Sequence, residues 1–148
     1  MAYELSSREA PTIVTQECYV FLLSKAYQKG HSLVQARLKP YGLTNLQYVI
    51  LEMLWGRPGA SATELGKELT IDKATLSGAL ERMNEAGWLE KRPDPDDGRM
   101  LRLFSSAKAD ELRRELVDQR QAANQEFLAG LSSEERLLLG RLLKDLAA

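Results

Sequence analysis

Residues 61 to 104, SATELGKELTIDKATLSGALERMNEAGWLEKRPDPDDGRMLRLF, restrict the fold of this chain more than any other stretch. Ser61 and Glu64 have the S-x-x-E spacing of a capping box. Hydroxyl and carboxylate each satisfy a backbone N–H that a helix start leaves without a partner, so a helix opens here and runs through Glu68. Asp72 can cap a second helix, which Gly87 closes. In that helix Leu76, Ala79, Leu80 and Met83 recur at helical spacing and form the buried face. Thr75, Ser77, Gly78 and Arg82 are left outward. Two strand-like runs follow, around a polar, Pro/Gly-rich tip from Pro93 to Gly98, with Arg92 before it and Arg99 after. Two short helices therefore abut a hairpin.

That order is the pattern of a winged helix-turn-helix, and its flanks are helical. Pro11-Thr12 starts a long helix running to about Leu38, with Leu22, Ala26, Leu33 and Leu38 on one face and Tyr27, Val34 and Tyr41 alongside. Lys39-Pro40 and Gly42 end it. Thr44 with Gln47 is a second capping box, leading into LQYVILEMLW, which is apolar nearly all round and so belongs at the centre. Arg57-Pro58-Gly59 is a turn. Ser105 or Ser106 caps another long helix, with Leu112, Leu116, Ala123, Phe127 and Leu131 at seven- and four-residue steps. Ser132 with Glu135 is a third box, opening a leucine-rich last helix from Leu137 to Leu146.

These terminal helices carry more apolar surface than the ends of one such chain need. A helix hairpin within the chain would cover it. Dimerisation is the better expectation, because a helix-turn-helix protein usually reads two half-sites about one DNA turn apart. The fold expected is mainly α: a winged helix-turn-helix over 44–104 with a small β-hairpin wing, flanked by long dimerisation helices over 12–41 and 106–148. All of it forms one domain, 1–148.

Several short motifs in this frame resemble the MarR family of bacterial transcriptional regulators. They are Gly42-Leu43-Thr44 with Gln47; Glu64-Leu65-Gly66; Asp72-Lys73 with Thr75 and Leu76; Glu81-Arg82-Met83; Glu85 with Gly87-Trp88-Leu89; and Asp97-Gly98-Arg99. Ala74 and Gly78 stand where relatives often carry a hydroxyl residue and a larger side chain, and Ser105 and Ala109 replace a Leu and a Gly that often follow the wing. The resemblance implies a homodimer on a palindromic double-stranded operator, a repressor released by a small aromatic or phenolic ligand. It also implies that Arg99 reaches a minor groove from the wing while Asp97 holds the wing's shape.

Charge by itself would not suggest DNA. The chain has a net charge of -1, and residues 44 to 104 hold eight Lys/Arg against ten Asp/Glu. Phosphate neutralisation usually demands a more basic module, so the placement of the acids has to matter more than their sum. No run approaches the roughly 18 apolar residues of a membrane span, and MAYELSSREAPT is no signal peptide, so a cytoplasmic protein without membrane contact is expected.

Lys73, Thr75, Ser77, Gly78 and Arg82 lie early in the second helix of the unit, where the N-terminal dipole and free amides favour phosphate. With Arg92, Asp97 and Arg99 of the wing they form the candidate DNA-binding set. Cys18, the only cysteine, excludes an internal disulfide and any multi-cysteine metal site. A buried structural role is expected for it. The alternative, by resemblance to hydroperoxide-sensing members of the family, is a thiol redox sensor.

His31, the only histidine, builds no metal cluster. Thirteen residues from Cys18, about 20 Å along a helix at ~1.5 Å per residue, it forms no catalytic dyad, so neither enzyme chemistry nor a cofactor is expected. Tyr27, His31, Tyr48 and Trp55 either fill the core or line a cleft for the aromatic ligand. A protein-interaction module with weak DNA binding is the reading from another class.

Overall fold

Each helix start that the sequence marks with a capping side chain is capped by it in the computed structural model of the protein, which describes residues 18–148. The helices are α1 (Tyr19–Leu38), α2 (Asn45–Gly56), α3 (Ala62–Leu69), α4 (Lys73–Glu85), α5 (Ala107–Phe127) and α6 (Ser133–Ala147). Strands β1 (Leu89–Pro93) and β2 (Leu101–Ser105) lie between α4 and α5. Thr44, Ser61 and Ser132 close full capping boxes with Gln47, Glu64 and Glu135. Asp72 accepts from the N–H of Thr75, and of the two serines before α5 it is Ser106 that caps. The expected start of the first helix at Pro11-Thr12 lies outside the described residues. Its end is as expected: Lys39–Tyr41 tighten into a 3-10 turn and Gly42 takes φ 70°, a conformation that suits glycine.

The core collects around α2, which buries Gln47, Tyr48, Ile50, Leu51 and Leu54, as its all-round apolar sequence requires. Gln47 is tolerated there because its side-chain oxygen accepts from the N–H of Thr44. Against α2 pack α4, through the expected Leu76, Ala79, Leu80 and Met83, and the hairpin, through Leu89 and Leu103. The strands pair antiparallel with Leu89 opposite Ser105 and Pro93 opposite Leu101. The turn before α3 adds a short third rung: Gly59 N–H donates to Leu103 O at 2.8 Å, and Leu103 N–H donates to Ala60 O at 3.0 Å. The wing is thereby stitched to the start of the helix pair.

Helix α5 runs along α1 and buries Ala109, Leu116 and Ala123, seven residues apart. The terminal helices keep much of their apolar surface uncovered, so a helix hairpin within the chain does not bury it. In α1 only Leu38 is buried, whereas Leu22 and Tyr27 stand exposed. In α6 no residue is buried, and Leu137 and Leu146 keep 78% and 73% of their surface. The helical period is real, but within one protomer these apolar faces remain open to solvent. Among the described residues no helix is long and apolar enough to cross a membrane.

Candidate nucleic-acid interface

Helix α4 begins with a doubly used carboxylate. Asp72 accepts from the N–H of Thr75 at 2.8 Å and from its hydroxyl at 2.7 Å. These bonds, the hydroxyl's first, hold the Asp72 carboxyl below its ordinary range. The donor of Thr75 is thus spent inside the helix start, leaving its oxygen only as an acceptor. Lys73, Ser77 and Arg82 stand exposed on the side away from the buried leucines, with Gly78 half-buried beside them. Gly78 is covered by Arg82. A Cβ placed on Gly78 would lie 3.3 Å from Nη1 of Arg82, so the guanidinium rests where a side chain at 78 would begin. Arg82 pairs with neither Glu85 nor Glu81, and Glu81 instead accepts from Lys91 Nζ at 2.8 Å.

The wing is organised by a residue that sequence reasoning passed over. Asp94 Oδ1 accepts from the N–H groups of Asp96 and Asp97 at 2.8 and 3.1 Å, while Oδ2 accepts from Arg102 Nε at 2.7 Å. Its carboxyl is held below the usual value, first by Arg102 and then by the two amides. Arg102 Nη1 also donates to Gly59 O at 3.3 Å and lies 4.0 Å from Glu64, the carboxylate of the α3 capping box. Asp97 has the smaller part, accepting from the N–H of Arg99 at 3.0 Å. The Arg99 side chain itself stands exposed at the tip. Arg92 is engaged: its guanidinium lies 4.2 Å over the Phe104 ring and donates to Glu90 at 2.9 Å. Asp94 followed by amides two and three residues on is an Asx-turn signature visible in sequence. Its bond to Arg102 becomes visible only once the strand register is known.

These placements engage seven of the ten acids. Of the ten acids in 44 to 104, Glu52, Glu68, Glu81, Glu90 and Asp94 are ion-paired with arginine or lysine, and Glu64 and Asp72 cap helices. Of the eight Lys/Arg in the same segment, four make no ion pair among the described residues: Lys67, Lys73, Arg82 and Arg99. All four belong to the helix pair or to the wing tip.

The four aromatic residues expected around a ligand form two pairs. Tyr27 and His31 have ring centroids 5.5 Å apart, and Tyr27 is exposed. Tyr48 and Trp55 meet edge to face at 6.3 Å. Tyr48 has no exposed surface, and its hydroxyl donates to Glu52 at 2.7 Å. Burial and that carboxylate push its pKa up. Trp55 Nε1 donates to Asp110 at 3.0 Å. A groove that the sequence did not signal opens among α3, α4 and the hairpin. Its volume is about 730 Å³, with Ile71, Leu76, Leu80, Leu101 and Leu103 as apolar lining and Lys67, Lys73 and Lys91 as cations. Cys18 is exposed at the N-cap of α1, which corrects the expectation of a buried structural cysteine.

Residues 43–101 match the family model described as MarR family. Over 125 residues the chain is 27% identical to the HTH-type transcriptional repressor NicR of Pseudomonas putida, spanning 84% of this chain and 79% of that one. A structure of Bordetella bronchiseptica BpsR, reported as a mechanism for regulation of its DNA binding by 6-hydroxynicotinic acid, has a TM-score of 0.83. It is 28% identical and covers 89% of this chain and 94% of its own. A mutant MarR of E. coli complexed with operator DNA has a TM-score of 0.84 with 94% of this chain and 100% of that one covered. At 24% identity it is a likeness of fold.

Proposed function

The chain belongs to the MarR family of DNA-binding transcriptional regulators, and we propose that it acts as a homodimeric repressor that binds a palindromic operator and is released by a small aromatic anion. The observation that carries the DNA part is the distribution of free cations. Among the described residues Lys67, Lys73, Arg82 and Arg99 make no ion pair on the helix pair and the wing tip, where a duplex would meet them, while seven of the ten acids of the segment are taken up by caps and ion pairs, leaving Glu85, Asp96 and Asp97. In this reading α4 enters the major groove with Lys73, Thr75, Ser77, Gly78 and Arg82. The wing brings Arg99 to the minor groove, Asp97 shapes its tip and Arg92 lies nearest the backbone. The open leucine faces of α1 and α6 supply the second half-site by joining two protomers. Repression is supported by the name of the NicR relative.

The aromatic anion is supported by what BpsR is reported to respond to. Two seats suit it. The groove between α3, α4 and the hairpin offers an apolar lining with three lysines, and an anion there would take Lys73 away from phosphate. The aromatic set Tyr27, His31, Tyr48 and Trp55 lies on α1 and α2 with Tyr48 fully buried, so a ligand there would have to open the Tyr48–Trp55 contact and would instead act on how the terminal helices hold the two reading units apart.

The experiment is selection of genomic DNA fragments by the purified protein, followed by footprinting. Two protected half-sites about one helical turn apart are expected. Protection of a single half-site, or fragments retained without sequence preference, rejects the palindromic reading.

A further inference from the structure

A glycine in the second turn of an exposed recognition helix costs helix stability and provides no side chain for reading a base. The structure gives Gly78 another use. Helical side chains lean toward the N-terminus, so residue 82 covers the surface over residue 78 one turn earlier. Here that cover is the Arg82 guanidinium, with Nη1, Nη2 and Cζ at 3.3, 3.6 and 3.8 Å from where a Cβ on Gly78 would stand. A methyl at 78 would ask the guanidinium to give way by only a few tenths of an ångström, whereas a longer side chain would occupy that seat. Of the local acids that could hold the guanidinium elsewhere, Glu81 accepts from Lys91, and Glu85 makes no pair with it among the described residues. Among the described residues Arg82 therefore keeps its donors free, and it is carried toward the N-terminal half of α4, the end of a recognition helix that meets base edges.

We propose that Gly78 and Arg82 act as one specificity-determining unit, in which the missing side chain at 78 seats the Arg82 guanidinium so that it reads a guanine of each half-site through O6 and N7. The inference rests on the operator-binding reading above. A planar fork of N–H donors matches those two acceptors, and guanine alone presents both in the major groove. The preferred base would thus be set by the residue at 82, through the space left at 78, instead of by a side chain at 78.

The test uses the full-length protein and its selected operator, with each guanine replaced in turn by 7-deazaguanine, which removes the N7 acceptor. For the wild type one guanine per half-site should matter, its replacement weakening binding by about five- to a hundredfold at fixed salt. Arg82→Ala should bind the unmodified operator more weakly and lose sensitivity to that guanine alone. Arg82→Lys, which keeps the charge but not the fork, should lose the same sensitivity with an unchanged salt slope. Gly78→Leu is a better helix former than glycine, so the fold is spared, and it should reproduce the Arg82→Ala pattern. Adding Arg82→Ala to it should change nothing further. Persistence of the guanine effect in Arg82→Ala, or its survival in Gly78→Leu, overturns the inference while leaving operator binding intact. A wild type without sequence preference overturns both.

Discussion

Asp94 and Arg102 clasp across the wing, Nε to Oδ2 at 2.7 Å, and the same guanidinium reaches back to the carbonyl of Gly59 at 3.3 Å. The tip of the hairpin and the entry to α3 are thus held by one side chain, so the direction in which Arg99 leaves the protein depends on a residue that would touch no DNA.

Arg102→Ala should therefore weaken operator binding by less than removal of Arg99, with an unchanged far-UV circular dichroism spectrum and faster hydrogen exchange at the amides of Asp96 and Asp97. The pH dependence follows from the sign of the Asp94 shift. Its folded pKa is depressed below 3.8, so the contribution is present above that value and is lost only as pH falls through the lower, folded one. Glu64 and Asp72 are shifted the same way by their capping amides and hydroxyl. None of the three should produce a step in operator affinity between about pH 5 and 8. A step there that vanishes in Asp94→Asn would contradict the clasp.

Arg99→Ala should cost about 1 to 3 kcal/mol of operator binding at fixed salt while leaving thermal stability alone, because the side chain is exposed and stabilises nothing in the protomer. Log affinity of the wild type should fall with log salt by ~0.9 per neutralised phosphate. Affinity unchanged within about twofold on loss of Arg99 would make it a turn residue.

Leu142 and Leu146 are exposed on α6. Replacing both with Glu should leave each protomer folded and yield a monomer by sedimentation velocity, since the charges would be buried only in the dimer. Operator affinity should collapse with it, because one reading unit retains one half-site. A wild type that sediments as a monomer at micromolar concentration would remove the interface altogether.

Cys18 is reachable by solvent, but no Lys or Arg stands within the following turn of α1 to favour the thiolate. Cys18→Ser is expected to bind operator like the wild type, and cumene hydroperoxide to leave the wild-type complex intact. Reversible release by peroxide, absent in the mutant, would instead make the protein a thiol sensor.

An aromatic carboxylate should lower operator affinity, and operator should lower its affinity by the same factor. A 100-fold effect requires roughly 2.7 kcal/mol of coupling. Calorimetry with and without operator measures both sides of that linkage. The two seats give different signatures. Binding in the groove should fail in Lys91→Ala and leave Trp55 fluorescence untouched. Binding among the aromatics should quench Trp55 and survive the lysine substitution. An aromatic anion library that produces neither heat nor release would end the effector reading.

Much of the fold was legible because its signals are local. A capping box needs only a hydroxyl and a carboxylate three residues apart, and the buried face of α4 needs only the 3.6-residue period. Thr44, Ser61, Asp72 and Ser132, and the leucines beside Ala79 and Met83, could be placed from sequence alone. The turn glycines are of the same kind, since φ 79° at Gly87 follows from its place after a helix. Where pairing crosses the chain, sequence had nothing to offer. Arg102 meets Asp94 because the strand register puts Arg92 opposite Arg102 and turns the chain at 94. Lys91 meets Glu81 because β1 packs beside α4. Those contacts decide which cations remain free. Among the described residues they leave four cations without an ion pair on the helix pair and the wing tip, which the count of ten acids against eight bases does not reveal.

Exposure too belonged to the tertiary structure. The surplus of leucines on the terminal helices left open whether a hairpin within the chain or a second copy covers them, and the structure leaves them uncovered in the protomer; sequence could not say that Cys18 lies in solvent and Tyr48 out of it. What the sequence alone determined was where helices start, which face of each is greasy and where the chain turns, because neighbours within about four residues decide those things. What only the tertiary structure decided was which charges are spent and which surfaces are left uncovered, because partners far apart in sequence and the packing of whole elements set both.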